Sequence, residues 1–180
     1  MLIACISQLY IKIISKANEN LIYPKSSNIN VKAGVIMVIR NLKLEDIQAL
    51  SRLYFQFWNE ESDVTKMQNK FLSLQNNGNY ILLCAVEENS IVGSVMGIVC
   101  EELYGSCEPF LVVENMVVDE NHRKKGIGKM LFESLEKQAR TKNCTQIILV
   151  TETAREDACG FYESIGFHPT ANKGYKKKLL

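Results

Sequence analysis

Apolar positions along this chain repeat at two spacings, and the spacings alternate from one end to the other. Val35 to Arg40 is a short run rich in β-branched residues and predicts a strand. Leu44, Ile47, Leu50, Leu53, Tyr54 and Phe57 then recur at three- and four-residue steps, as one face of an amphipathic helix does. No clear cap marks where that helix starts. A weaker helix spans Val64 to Leu74 and stops at Asn76-Asn77-Gly78-Asn79. Tyr80 to Val86 and Ile91 to Cys100 read as strands joined by the turn Glu87 to Ser90. Gly93 and Gly97 inside the second of these point to a bulge or a close backbone approach.

Beyond a loop from Glu101 to Pro109, Phe110 to Val118 is another strand. A helix follows with Ile127, Met130, Leu131, Leu135 and Ala139 on one face. Thr145 to Thr151 predicts a strand, and Asp157 to Ile165 a helix closed by Gly166. A short pair of strands is expected through Phe167 and from Tyr175 to Leu179. The order β-α-α-β-β-β-α-β-α-β-β, without internal repeat, predicts an α/β fold with a mixed central sheet flanked by helices.

Residues 1–36 break this pattern. MLIACISQLYIKIIS is apolar but has no cation before Lys12, a poor match to a secretory signal. KANENLIYPKSSNIN is polar and reads as linker. Met37 then opens a domain expected to span 37–180. Residues 1–36 are either the product of a start codon placed too early or an appendage packed on the domain or on a partner.

Composition narrows the function. The 180 residues are 47% hydrophobic and 23% charged with a formal net charge of +1. That fits one globular domain and gives no general basic field for nucleic acid. The longest apolar runs are too short to span a bilayer. The spacing of Cys5, Cys84, Cys100, Cys107, Cys144 and Cys159 holds no CxxC, and His122 and His168 stand far apart, so no metal site is expected. The cysteines read as reduced core thiols of a cytoplasmic protein.

The chemistry concentrates in DENHRKKGIGKML, residues 119–131. Glycine is a poor helix former, costing about 0.8–1 kcal/mol against alanine inside a helix. Yet Gly126 and Gly128 open a helix here, just behind Arg123, Lys124 and Lys125. Unpaired N–H groups and a partial positive charge at a helix start attract anions, and a missing Cβ lets a phosphate approach. The segment therefore reads as a pyrophosphate cradle. It lacks the GxxxxGK[ST] of a Walker loop and the full GxGxxG of a dinucleotide site.

Its R-x-x-G-x-G pattern, Arg123 to Gly128, resembles the coenzyme A signature of the GNAT acyltransferase superfamily. AREDACGFYESIGF, Ala154 to Phe167, resembles that family's C-terminal R-x-x-A-x-x-F-Y-E-x-x-G-F string. FLVVENMVVDENHR resembles its fourth strand entering the phosphate loop. The resemblance covers Met37 to Leu179 by element order and is sharpest from Phe110 to Phe167. It implies a GNAT fold and an N-acetyltransferase that takes acetyl-CoA as co-substrate without a metal. The acceptor it implies is a small-molecule amine or a protein amino group, and a homodimer is common in the family. A non-catalytic acyl-CoA-binding regulatory module is the alternative.

Glu114 and Asn115 interrupt an otherwise apolar strand. A buried carboxylate there would have a raised pKa suited to a general base, the role the family often gives an acid at this place. Pairing with a nearby cation, or exposure where the sheet splays, is the plainer alternative. The resemblance gives Tyr162 the protonation of the departing thiolate, and Met116 or Val117 a backbone N–H for the oxyanion. It pairs the backbone of Val117 and Val118 with the pantetheine arm and puts the phosphates on Arg123, Lys124, Lys125, Gly126, Ile127, Gly128 and Lys129. Arg155 stands where many members have Asn holding pantetheine, and it reaches either the coenzyme or the acceptor. Cys159 reads as a structural thiol ahead of an acyl-cysteine, and His122 as a loop residue. Glu60, Glu61, Asp63, Glu101 and Glu102 are candidates to attract a cationic acceptor, or are solvated surface charge.

Overall fold

The computed structural model describes residues 28–32 and 35–179. They form a six-stranded sheet whose spatial order follows the chain: β1 (Asn28–Lys32), β2 (Val35–Asn41), β3 (Tyr80–Glu87), β4 (Ser90–Cys100), β5 (Phe110–Val118) and β6 (Ile147–Ile148). Neighbours are antiparallel except β5 and β6, which are parallel. Four helices complete the fold: α1 (Ile47–Trp58), α2 (Val64–Leu74), α3 (Ile127–Thr141) and α4 (Glu156–Ser164).

Strand alternation sorts the core onto two faces. Ile81, Leu83 and Ala85 of β3, with Val95 and Val99 of β4, pack against Ile127, Leu131 and Leu135 of α3. Leu82 and Val117 face the other way, against Ile47, Leu50 and Leu53 of α1 and Phe71 of α2. Gly93 and Gly97 serve both purposes expected of them. A Cβ on Gly97 would stand 2.7 Å from Leu135 Cδ1, so α3 approaches the bare backbone of β4. The register also shifts opposite both ends of the Gly93–Met96 stretch.

The start of α1 is fixed by a carboxylate that its sequence does not advertise. Asp46 Oδ2 accepts the Lys43 N–H at 2.8 Å, while Arg40 donates to both Asp46 oxygens at 2.6 and 2.9 Å. A short 3-10 turn, Leu44–Asp46, leads into the helix.

Three expectations change. Asn28–Lys32, the end of the stretch read as linker, is strand β1 and pairs along β2. Of the strand expected over Thr145–Thr151, only Ile147 and Ile148 pair, with Leu111 and Val112. The terminal pair of strands is absent among the described residues, with Tyr175 and Leu179 more than four-fifths exposed. The readings of residues 1–27, including Cys5, fall outside the described residues.

Candidate active site

Sheet pairing opens a gap at the centre of the molecule. β6 accompanies β5 only at Leu111 and Val112, so from Val113 to Val118 β5 has no paired strand on that side among the described residues. Within this stretch β5 bulges: Glu114 pairs with Met96 and Val117 with Ser94, leaving Asn115 and Met116 opposite Val95 alone. Asn115 takes a left-handed φ of 51°, which turns the local peptide out of the ladder. The result is a free strand edge with a kinked, unpaired segment at its middle.

Glu114 sits on that kink, and its surroundings correct the sequence argument. Adjacent residues of a strand point to opposite faces, so the apolar neighbours of Glu114 do not enclose it; its side chain is exposed. Met116 is half-buried and the Val117 side chain is in the core, leaving backbone groups as what they can offer. The Val118 carbonyl already accepts from Arg123 Nε at 3.3 Å.

The loop leaving β5 is tightly bonded. Asp119 N–H donates to Val92 O at 2.9 Å, and Asp119 Oδ1 accepts the Asn121 N–H at 3.0 Å. His122, expected as a plain loop residue, lies between two carboxylates: Nδ1 is 2.6 Å from Asp119 Oδ1 and Nε2 is 2.9 Å from Glu87 Oε2. Desolvation pushes the Asp119 carboxyl up, but hydrogen bonds from His122, Gln56 and the Asn121 N–H hold it below the usual range.

Arg123, Lys124 and Lys125 follow, all exposed. Gly126 caps α3 at a φ of 86°, a left-handed conformation that glycine adopts without strain. Nothing stands within 4 Å of a Cβ built there, so the approach to the first helical N–H groups is open. Gly128 is different: a Cβ would stand 3.3 Å from the Phe161 ring and 3.5 Å from Met116 Cε. Its bareness leaves room for the Phe161 ring of α4. Ile127 is buried in the core, and Lys129 lies 3.9 Å from Glu133.

Helix α4 crosses the open end of the sheet. Phe161 faces Gly128, while Tyr162 and Phe167 meet edge-to-face, as do Phe167 and Phe132 of α3. Burial pushes the Tyr162 phenol up; Arg155 pulls it back and Glu114 adds to the rise. Glu114 of β5 thus shares one electrostatic neighbourhood with Arg155 and with Tyr162 of α4. Arg155, at the N-cap of α4, stacks on α1 with Cζ 4.5 Å from the Phe57 ring centre. Neither Arg155 nor Glu114 makes an ion pair among the described residues.

Helix α1 adds residues the sequence reading had placed only in a core. Phe57 is the platform under Arg155. Burial pushes the Tyr54 phenol up, offset by the polar side chains of Ser94 and Asn115 on which its hydroxyl is directed. The contact with Ser94 falls short of hydrogen-bond geometry, and Ser94 Oγ is buried without a partner. Tyr54 thereby backs the bulge. Such contacts join residues some forty to a hundred positions apart, and no local pattern signals them.

Other candidates are placed elsewhere. Asp63 caps α2 by accepting the Lys66 N–H at 2.9 Å, and Glu102 accepts the Leu103 N–H at 2.9 Å, whereas Glu60, Glu61 and Glu101 are exposed. The Cys159 thiol faces the Glu152 carbonyl at 3.9 Å. A cavity of about 270 Å³ lined by Ile39, Arg40, Leu83 and Ser134 lies between the sheet and α3, away from Tyr162. Among the described residues no cluster of His, Cys, Asp or Glu could hold a metal ion, and no helix is long and apolar enough to cross a membrane.

Comparison with known proteins agrees with this architecture. The profile of the Acetyltransferase (GNAT) family matches residues 44–167. The chain is 35% identical over 63 residues to N-acetyltransferase 8 of Homo sapiens, a stretch covering 35% of this chain and 28% of that protein. It is 38% identical over 55 residues to glucosamine 6-phosphate N-acetyltransferase of Trypanosoma brucei brucei, covering 31% of this chain and 35% of that one. The matched stretches span only about a third of either relative. An aminoglycoside N-acetyltransferase solved in complex with CoA superposes with a TM-score of 0.70 at 16% identity, over 84% of this chain and 100% of that one, a likeness of fold.

Proposed function

The chain belongs to the Acetyltransferase (GNAT) family, and from that premise we propose that it is an N-acetyltransferase that moves an acetyl group from acetyl-CoA to a primary amine by direct attack in a ternary complex. The observation that carries the reading is the gap beside β5, with a cationic loop and an open helix start at one end and Tyr162, Glu114 and Arg155 at the other. A pantetheine arm would lie along β5 as an added strand. Met116, Val117 and Val118 offer it backbone groups, with the Val118 carbonyl shared with Arg123. The pyrophosphate would meet Arg123, Lys124, Lys125 and the N–H groups from Gly126 through Ile127, Gly128 and Lys129.

Acetyl-CoA supplies a thioester carbon open to attack by a neutral amine. The protein's part is to hold both reactants in position and to manage two protons and one charge. Exposed Glu114 takes the ammonium proton, directly or through water. A backbone N–H of the bulged stretch, at unpaired Met116 or at Val117 beside it, meets the oxyanion. Tyr162, whose raised pKa keeps its phenol protonated, gives its proton to the leaving sulfur.

The acceptor is read from the other side of Tyr162. Arg155 is a half-buried cation held on Phe57 with no acid paired to it among the described residues, and Glu114 is an anion equally unpaired. A ligand seated between them would satisfy both. We therefore place Arg155 on the acceptor side, and take the acceptor to be an amine that also carries a carboxylate or phosphate. The test is acetyl transfer from acetyl-CoA to two panels of amines, one with and one without an anionic group. Transfer to the first panel is expected. A protein that binds acetyl-CoA yet acetylates neither panel would instead be the non-catalytic binding module.

A further inference from the structure

The phosphate loop is tied to the end of β3 through one side chain, an imidazole held between two carboxylates. His122 bridges Asp119, at the loop's start, and Glu87, at the end of β3, with its ring nitrogens 2.6 and 2.9 Å from their oxygens. A neutral imidazole carries one N–H, so it can donate to only one of two carboxylates; its other nitrogen then turns a lone pair toward an oxygen. Only the imidazolium donates at both.

The elements around the ring reinforce this. From α1, Gln56 Nε2 donates to Asp119 Oδ2 at 2.9 Å, fixing that carboxylate from behind with a neutral group. Glu87 comes from β3 and Asp119 from the loop itself. Glu88 and Glu120, the neighbouring acids, are exposed, and Arg123 is turned to the Val118 carbonyl. Among the described residues no cation other than His122 is paired with Asp119 or Glu87. The cluster therefore carries one net negative charge with the ring protonated and two without it.

That charge stands immediately before Arg123. Resting on the coenzyme reading above, we propose that His122 is the positioning residue of the phosphate loop, and that its protonated form is the one that binds a polyphosphate. Protonation ties the loop to β3 at both carboxylates and cancels a charge that repels phosphate. Loss of the proton releases one tie and restores the repulsion. By linkage, coenzyme binding must then draw a proton onto the protein.

The experiment is calorimetric titration of CoA into the full chain from about pH 6 to about pH 9, a range in which a histidine ordinarily changes charge, in buffers of different ionisation enthalpy. Wild type should take up a proton on binding beyond whatever the ligand's own phosphates contribute. His122→Gln, neutral throughout, should lack that extra uptake; its affinity should trail wild type roughly fivefold at the acid end and match it at the alkaline end. His122→Arg keeps two donors and a permanent charge, and should bind well across the whole range. Equal proton uptake in wild type and His122→Gln overturns the inference while leaving the coenzyme reading intact. No binding by folded wild type at any pH overturns both.

Discussion

The ring of Phe161 occupies the space above Gly128, 3.3 Å from where a Cβ would be. Gly128 is therefore a contact between two helices, and it joins the start of α3, the proposed phosphate end, to the helix that bears Tyr162. Gly128→Ala should push α4 outward and lower turnover more than it weakens coenzyme binding, with a stability loss of about 1 kcal/mol. Phe161→Leu should recover part of both. A double-mutant cycle on melting temperature and kcat checks this, and strict additivity would deny the contact.

As the proposed acid, Tyr162 should set the alkaline limb of turnover. Burial raises its pKa above the ordinary phenol value, so the proton it would donate is present throughout the neutral range and is lost only above about pH 10. Turnover should hold to that point and then fall. Tyr162→Phe should lower kcat about a hundredfold while leaving acetyl-CoA affinity unchanged. A wild-type rate in that variant would remove Tyr162 from the chemistry.

Arg155→Gln separates the two places this residue has been assigned. On the acceptor side, its loss should raise KM for an amine bearing a carboxylate or phosphate about tenfold, equivalent to about 1.4 kcal/mol, and leave coenzyme affinity alone. A weakened coenzyme affinity with an unchanged acceptor KM would return Arg155 to the pantetheine arm.

Asp119 makes a prediction about stability with a definite sign. Its folded pKa is depressed, so its contribution is present above the unfolded value of about 3.9 and is lost as pH falls through the folded one. Asp119→Asn should melt below wild type at neutral pH, and the two should converge in acid as the pH falls below the depressed folded value. A gap that persists in acid would mean that the carboxylate's charge is not what stabilises.

Much of this was legible in the sequence, for reasons that differ by element. Helices α1, α2 and α3 were readable because one apolar stripe of each meets one face of the sheet. Glu114 misled because alternation along a strand says nothing about what covers a given face, and the bulge at Asn115 is set by pairing with β4. The ties of His122 to Glu87 and of Arg155 to Phe57 span 35 and nearly a hundred positions. No local pattern carries them. The terminal strands were expected through Phe167 and from Tyr175 to Leu179, but the three lysines between Tyr175 and Leu179 give no alternating apolar face to bury.

The proposed pyrophosphate cradle is built from the loop after β5 and the start of α3. Calorimetric titration of acetyl-CoA into the full chain tests it most directly, beside Arg123→Glu/Lys125→Glu, which reverses two exposed charges without touching the core. The account predicts one site in the wild type and at least about a tenfold weaker one in the variant. Equal affinity in a folded variant, or a flat titration of the folded wild type, would contradict it.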